Sequence, residues 1–327
     1  MADRDDFARV ADPYRGELLA HCYRMLGSVH DAEDLVQDTY VRAWRAFDRF
    51  EGRSSVRAWL YRIATRACLT ALERRGRRPL PSGLGAPGAY PERGPGPAAD
   101  AVEWLEPFPG PFRGPFPGSY DPAAAVAERE SVRLAFVAAL QHLPARQRAV
   151  LLLREVLGWT AAETAELLDT SSPAVNSALQ RARDRLRAVA PREDATAPGL
   201  DDRTAQGFLD RYVEAFEKAD VAGLVELLRE DVVMEMPPVP VWFRGRADVA
   251  VFLASHVHRF GPGFFRLVPV VANGQPAYGT YARAADGSYH ADALQVVDLT
   301  AGGIARVTAF RRPVPFARFG LPERLDS

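Results

Sequence analysis

Arginines and aromatic residues are mixed in one stretch of this sequence, residues 57–78, in a pattern that suits binding of a nucleic acid. The stretch holds seven arginines and a single acidic residue, with Trp59 and Tyr61 interleaved. Guanidinium groups attract phosphate, and aromatic faces stack on unpaired bases. The basic residues at 74–78 also have a simpler explanation, because helices commonly end in positive charge. The predicted nucleic-acid contacts in this stretch are Arg57, Trp59, Arg62 and Arg66.

A second group of side chains that can read DNA lies further along the chain. Thr160 and Glu163 have the spacing of a capping box, which predicts a helix over residues 161–168. Ser172 followed by Pro173 predicts the start of the next helix. Two short helices joined by a tight turn suit a helix-turn-helix, which is also an ordinary packing unit. The groups that can reach base edges or phosphate are Ser171, Asn176, Ser177, Gln180, Arg181 and Arg183.

Residues typical of catalytic or metal centres are sparse. Cys22 and Cys68 are the only cysteines, and their spacing matches no zinc or redox motif. Two thiols without a disulfide framework suit a reducing compartment. The polar residues 1–10 do not resemble a signal peptide, and no apolar run approaches the roughly 20 residues of a membrane helix. We therefore expect a cytoplasmic protein with no cofactor, no metal and no membrane segment.

The elements that carry these groups fall into three folded segments. Residues 8–78 and 123–190 have helical patterns, whereas residues 203–313 change to two helices followed by alternating, β-rich runs. Between the first two segments, residues 79–122 hold twelve Pro and eight Gly, which predicts an extended linker. The linker also contains apolar residues that a plain spacer does not need: Trp104, Leu105, Phe108, Phe112 and Phe116.

An amphipathic helix is predicted over residues 31–47. Its apolar residues recur every three or four positions, so one face is buried. On another face, Asp34, Asp38 and Arg42 recur every four residues. Taken alone, this pattern is typical of a solvated face whose ion pairs contribute about 0.2–0.5 kcal/mol each.

Two of the segments resemble sigma-70 factors of the extracytoplasmic-function (ECF) group. The run DAEDLVQDTY at 31–40, followed by AWLYRIA at 58–64, is similar to domain 2 of that family. LPARQR at 143–148 and GWTAAE at 158–163 are similar to domain 4. Both domains occur in the family's order, with a linker and no domain 3 between them.

The resemblance implies a partner for each domain. In the family, the first of these helices docks on a coiled coil of the polymerase β′ subunit, and the matching positions are Asp34, Gln37, Asp38 and Arg42. The loop near residues 50–55 and the helix after it read the −10 promoter element, and the helix-turn-helix reads the −35 element. Arg66 and Thr70 stand where the family often has Asn and Asp, so the resemblance implies the class of the factor but not its −10 base preference.

The third segment resembles the SnoaL-like domain of the NTF2 superfamily, a cone of curved sheet wrapped on helices. Some ECF factors carry this domain at the C-terminus, and WLEP at 104–107 resembles a linker motif of the same factors. Superfamily members include isomerases and cyclases, in which an Asp in an apolar cone can be a general base. His290 and Asp292 are equally explained as same-face neighbours on a strand. The candidate pocket residues are Trp242, His256, Tyr281, His290 and Asp292.

The sequence therefore predicts a multidomain protein with two all-α sigma domains, a helical bundle and a helix-turn-helix, joined by a Pro/Gly-rich linker and followed by an α+β NTF2-like cone. The predicted function is that of a sigma factor without enzymatic activity. Its partners are core RNA polymerase, through the β′ and β subunits, and promoter DNA, with an unknown small ligand or protein at a regulatory third domain.

Two alternatives remain from the sequence. A simple repressor or activator that uses only the helix-turn-helix leaves the acidic helix without a role. A SnoaL-like small-molecule enzyme fused to a DNA-binding module is the other. Because Trp104, Leu105 and Phe108 are costly to leave in water, we also predict that they pack on the third domain or on its junction with the first.

Overall fold

A computed structural model of the 327-residue chain describes residues 4–50, 52, 54–110, 131–189, 202–311 and 314–326. The contacts divide the chain into two compact units, one of Met1–Arg78 with Phe112–Glu193 and one of Pro79–Pro111 with Asp194–Ser327. Part of the predicted linker, including Phe112 and Phe116, lies outside the described residues, as does the predicted start of the second segment.

The described residues of the first helical domain form four α-helices, several of whose ends follow from local side-chain chemistry. Ser28 Oγ accepts from Asp31 N at 3.1 Å and begins the third helix, while Ser55 Oγ accepts from Ala58 N at 3.1 Å and begins the fourth. Gly27 ends the second helix in the left-handed region, at φ 72°. The helices are α1 (Arg4–Ala11), α2 (Arg15–Leu26), α3 (Val29–Ala46) and α4 (Val56–Leu72).

Helix α4 ends at Leu72, before the basic residues at 74–78. The basic residues that follow are therefore not the last turn of a helix. Two of them, Arg75 and Arg78, pair with the carboxylate of Asp31 at the start of α3, the Arg78 contact at 2.7 Å. This part of the basic cluster ties two helices together.

The second helical domain contains the predicted helix-turn-helix. Thr160 and Glu163 form both hydrogen bonds of the capping box, which confirms that prediction. The predicted cap of the next helix is wrong by one residue, because Ser171 Oγ accepts from Ala174 N at 3.4 Å and Ser172 is already helical. The helices are α5 (Leu134–Leu140), α6 (Ala145–Leu151) with a π-turn over Leu152–Val156, α7 (Ala161–Leu167) and α8 (Ser172–Val189).

Two buried arginines join the helical domains within this unit. Arg148 of α6 is 3% exposed and donates to Met25 O at the end of α2 and to Gln141 Oε1 at 2.8 Å. Arg24 of α2 is 2% exposed and donates to Ser131 Oγ at 2.7 Å. Burial lowers the pKa of Arg148 to about 10. Carbonyl and hydroxyl oxygens accept these bonds where the helical domains meet, and Arg148 Nε has no hydrogen-bond partner within the described residues.

The second unit is an α+β fold with one mixed sheet in the order β2-β1-β6-β5-β4-β3; β7 pairs with β5. β1 and β6 are parallel, and the other pairs are antiparallel. Three helices supply apolar residues to its core. The elements are α9 (Asp202–Glu217), α10 (Val221–Glu226), β1 (Leu228–Glu235), β2 (Trp242–Arg244), α11 (Arg246–His256), β3 (Phe265–Ala272), β4 (Gln275–Arg283), β5 (Tyr289–Thr300), β6 (Gly303–Arg311) and β7 (Arg324–Leu325).

The 79–110 segment is fixed along its length to this α+β domain. Ser82 N donates to the buried carboxylate of Glu235 at 3.1 Å, and Gly88 N donates to Trp242 O at 2.8 Å. Near its end, Phe108 N donates to Asn273 Oδ1 at 2.9 Å, and the Phe108 side chain is buried. The described part of the linker is therefore a component of the third domain rather than a free spacer.

Candidate nucleic-acid interface

The predicted polymerase-binding residues share one exposed face of α3. Buried Ala32, Val36 and Ala43 face the domain core on the other side of the helix. On the exposed face, Asp38 pairs with Arg42 at 2.8 Å, one helical turn away. Asp34 lies 3.7 Å from His30, and Gln37 is exposed beside it. The four candidates Asp34, Gln37, Asp38 and Arg42 are thus brought together by the helical repeat.

Two apolar residues extend this face and were missed from the sequence. Val41 and Trp44 are 46% and 44% exposed, although both are large and hydrophobic. Both lie outside the buried stripe of α3, so the helical spacing in the sequence could have indicated that they are exposed. A charged rim around an exposed apolar pair is typical of a protein-binding surface.

Trp59 on α4 is half-buried in an aromatic cluster. Its ring lies 4.8 Å from that of Phe50 and 6.4 Å from that of Phe47. Phe47 in turn contacts Phe7 edge-on at 5.3 Å. Phe50 begins the loop predicted to read the −10 element, of which Glu51 and Arg53 lie outside the described residues. Trp59 therefore supports the start of this loop.

Arg57 has a structural partner that the sequence did not indicate. Its guanidinium donates to both carboxylate oxygens of Glu17 on α2, at 3.0 and 2.9 Å from Nε. Tyr61, one turn further along α4, donates to the same carboxylate at 3.1 Å. Burial, and then the nearby Glu17 charge, raise the pKa of Tyr61 well above its usual value. We therefore reassign Arg57 from a DNA contact to a bond that fixes α4 on α2.

Arg62 and Arg66 lie one turn apart on the outer side of α4, and each meets a carboxylate of the second helical domain. Arg62 bonds to Glu166 near the end of α7, and Arg66 bonds to Asp169 in the following turn at 2.7 Å. The Tyr61 and Trp159 rings contact edge-on at 5.9 Å beside them. The sequence did not predict these pairs, because the two residues of each pair are 104 and 103 positions apart along the chain.

Helix α8 presents the predicted base-reading residues on its exposed side. Val175, Leu179 and Ala182 are buried, while Asn176, Ser177, Gln180, Arg181 and Arg183 are exposed. Two of the polar groups have local partners: Gln180 Nε2 donates to Asp184 at 2.9 Å, and Arg183 pairs with Glu155 at 2.6 Å. Within the described residues, Arg181 forms no ion pair, and its charge is available to a phosphate. Ser171 is exposed but serves as the helix cap.

The candidate pocket residues of the third domain do not converge on one site. Trp242 donates to Gly85 O of the 79–110 segment, and Tyr281 donates to Pro322 O. His290 contacts Ser288 Oγ at 3.1 Å, and His256 stacks on Phe252 in α11. Asp292 is the extra residue of a β-bulge in β5 and lies 3.6 Å from Arg311. These two charged residues line a shallow cleft of about 250 Å³ with Gly96, Ala98, Pro238 and Val239.

The sheet of the third domain packs on its helices through a core that includes a short series of hydrogen bonds between buried polar side chains. Tyr212 of α9 donates to Gln295 Oε1 at 2.5 Å, and Gln295 Nε2 donates to Thr280 Oγ1 at 2.9 Å. All three are buried, and the rings of Phe216 and Tyr278 each lie 5.9 Å from the Tyr212 ring. These polar side chains form their hydrogen bonds with one another, so they position the sheet on α9.

Neither metal-ligand clusters nor helices fit to span a membrane occur in the described part of the chain. There, no three His, Cys, Asp or Glu side chains are arranged to hold a metal ion. None of the described helices has the length and apolar character to cross a membrane.

The chain matches three family models in the order expected from the sequence. Residues 10–78 match sigma-70 region 2, residues 133–186 match sigma-70 region 4, and residues 209–307 match a SnoaL-like domain. These matches fall on the two helical domains and on the α+β domain.

Curated proteins and a solved structure cover almost the whole chain. It is 50% identical to the ECF RNA polymerase sigma factor SigG of Mycobacterium tuberculosis H37Rv, over 98% of this chain and 85% of that protein. It is 29% identical to SigJ of the same organism, over 95% and 93% of the two chains. The crystal structure of the Mycobacterium tuberculosis extracytoplasmic function sigma factor SigJ shares the fold, with a TM-score of 0.62 at 24% identity over 98% and 100% of the chains. This chain belongs to the ECF RNA polymerase sigma factors, with a SnoaL-like domain at its C-terminal end.

Proposed function

We propose that this factor binds core RNA polymerase through the exposed face of α3 and directs it to promoters through α4 and α8. The observation that carries the proposal is the outward set of charged and apolar residues on α3, in a chain that also presents a polar recognition helix. Asp34, Asp38 and Arg42 suit a charged partner, and Val41 and Trp44 supply apolar contact. The β′ coiled coil is the proposed partner.

Each DNA-facing helix has its own task in this proposal. Helix α4 and the loop before it contact the −10 element, where Arg62 and Arg66 attract phosphate and aromatic residues favour unpaired bases. Helix α8 enters the major groove at the −35 element and contacts base edges through Asn176 and Gln180. The polymerase performs the chemistry, and this chain positions it on DNA in the cytoplasm.

The proposal is tested by transcription with purified core polymerase. Wild-type factor is expected to give promoter-specific transcripts, and Asp38→Arg is expected to weaken core binding by roughly tenfold or more, because it places like charges beside Arg42 and against a basic partner. A pull-down titration measures the affinity. Glu226→Arg changes the net charge equally from an exposed site on the third domain and serves as the control. Unchanged core binding by Asp38→Arg contradicts the assignment of this face.

Arg181 and Arg183 of α8 are expected to contribute differently to the salt dependence of promoter binding. Arg181→Ala should reduce the slope of log affinity against log salt by about one, because one phosphate contact is lost. Arg183→Ala should change it less, since Arg183 already pairs with Glu155 at 2.6 Å. Salt titrations of promoter binding measure both slopes, with Arg211→Ala in the third domain as the control. Equal slopes for wild type and Arg181→Ala place this arginine off the DNA.

The third domain is regulatory, and its cleft at Asp292 and Arg311 is the proposed place for a ligand or protein partner. The enzymatic alternative needs a general base in an enclosed apolar site. Asp292 instead lies in an open cleft beside an arginine. A ligand can change the factor's activity only by binding its conformations unequally.

A further inference from the structure

The two arginines of α4 that are proposed to bind DNA already form ion pairs with carboxylates of the same protein. Arg62 Nη2 lies 2.5 Å from Glu166 Oε1, and Arg66 Nη2 lies 2.7 Å from Asp169 Oδ2. The arginines are four residues apart on α4, and the carboxylates are three residues apart around the end of α7. Both spacings correspond to about one helical turn, so the two pairs form a matched ladder.

The carboxylates belong to the element that must itself reach DNA. Glu166 lies in α7, the first helix of the helix-turn-helix, and Asp169 lies in the turn before α8. While these pairs are formed, α4 and the turn of the helix-turn-helix face each other. A DNA strand that approaches Arg62 and Arg66 must therefore displace both carboxylates.

Other contacts beside the ladder hold the same arrangement. Trp159, just before α7, contacts the Tyr61 ring edge-on at 5.9 Å. At the other end of the interface, Arg148 donates to Met25 O and Arg24 donates to Ser131 Oγ. The ladder is one part of a larger contact surface between the helical domains, and it is the part that involves proposed DNA-binding residues.

The ladder is suited to reversal because its groups remain in contact with solvent. The side chains of Glu166 and Asp169 are 70% and 76% exposed, and those of Arg62 and Arg66 are 35% and 51% exposed. Exposed pairs of this kind are weak and are screened by salt. Phosphate, which also forms charge-assisted bonds with arginine, can replace them.

We infer that Glu166 and Asp169 act as an internal substitute for DNA phosphate and mask Arg62 and Arg66 in the free factor. The pairs hold the helical domains together until polymerase or DNA separates them. This inference rests on the proposed DNA role of Arg62 and Arg66. It adds a competition between the factor's own carboxylates and the DNA backbone for the same two guanidinium groups.

The test is a cycle of charge-neutralising variants of the full chain, with a fluorescein-labelled forked DNA duplex as the probe. Glu166→Gln with Asp169→Asn is expected to bind the probe about three- to tenfold more tightly at low salt, because two weak pairs no longer compete. In the background Arg62→Gln with Arg66→Gln, the same carboxylate changes are expected to give no gain. Glu163→Gln removes a charge from the same helix, keeps the capping bond to Thr160 and is the matched control.

A distance measurement reports the contact without DNA. Spin labels on cysteines introduced at Thr70 and Ala174, both exposed, are expected to give one short distance in the wild-type background and a longer, broader distribution in the Glu166→Gln, Asp169→Asn variant. Cys22 and Cys68 are buried and do not compete for the label.

The outcomes separate this inference from the proposed function. If the carboxylate variant gains affinity equally in both backgrounds, the effect is simple repulsion of DNA and the masking inference fails. An unchanged spin-label distance also overturns it. If Arg62→Gln with Arg66→Gln leaves probe binding unaltered even in the unmasked Glu166→Gln, Asp169→Asn background, the proposed DNA role of α4 fails instead.

Discussion

Replacing Glu17 by Ala is expected to destabilise the first helical domain by about 3–5 kcal/mol, because it leaves buried polar groups without their acceptor. The carboxylate is 2% exposed and receives bonds from Arg57 and Tyr61. These residues are one turn apart on α4, so a single carboxylate fixes the rotation of that helix on α2. Urea denaturation of the full chain, followed by circular dichroism, measures the loss.

Two further variants test whether the buried bonds are responsible. Glu17→Gln keeps an acceptor oxygen and should lose less stability than Glu17→Ala. Glu226→Ala removes an exposed carboxylate that pairs with Arg211 at 3.4 Å and should change stability by no more than about 0.5 kcal/mol. If Glu17→Ala costs no more than Glu226→Ala, the Glu17 bonds do not hold α4 in place.

Replacing Phe108 by Ala is expected to cost the third domain about 3–5 kcal/mol, since the ring is 5% exposed and its loss leaves a cavity. The backbone of Phe108 forms two hydrogen bonds with Asn273. Phe108 N donates to Asn273 Oδ1 at 2.9 Å, and Asn273 N donates to Phe108 O at 2.8 Å. We expect the 79–110 segment to detach more often. Faster hydrogen exchange of its amides in the variant measures this change.

A matched control lies in the same segment. Leu84 is 44% exposed, so Leu84→Ala should change stability by no more than about 0.5 kcal/mol and leave exchange unaltered. A promoter reporter then compares Phe108→Ala and Trp104→Ala with a deletion of residues 203–327. If all of these match wild type in output, the third domain does not regulate this factor.

Local pattern was sufficient for several elements of the helical domains. The three- and four-residue spacing of Ala32, Val36, Thr39 and Ala43 predicted the buried face of α3. The same period placed Asp34, Asp38 and Arg42 together. The capping box at Thr160 and Glu163 predicted where α7 begins. These features depend on neighbours within one or two turns, so the order of residues contains the necessary information. The order of the two sigma domains and the SnoaL-like domain was predicted from the resemblance of their motifs and patterns to those families.

Tertiary structure decided which charged groups meet. Arg57, Arg62 and Arg66 look alike in the sequence, yet one holds Glu17 and the others pair with carboxylates of the helix-turn-helix. The Pro and Gly content of residues 79–122 predicted an extended chain but not its attachment to Asn273 and Glu235. An arginine, or a backbone amide outside a helix or sheet, can form hydrogen bonds with many partners. The choice depends on which distant residues the packed helices and sheet bring within hydrogen-bond distance, and no local repeat encodes that distance.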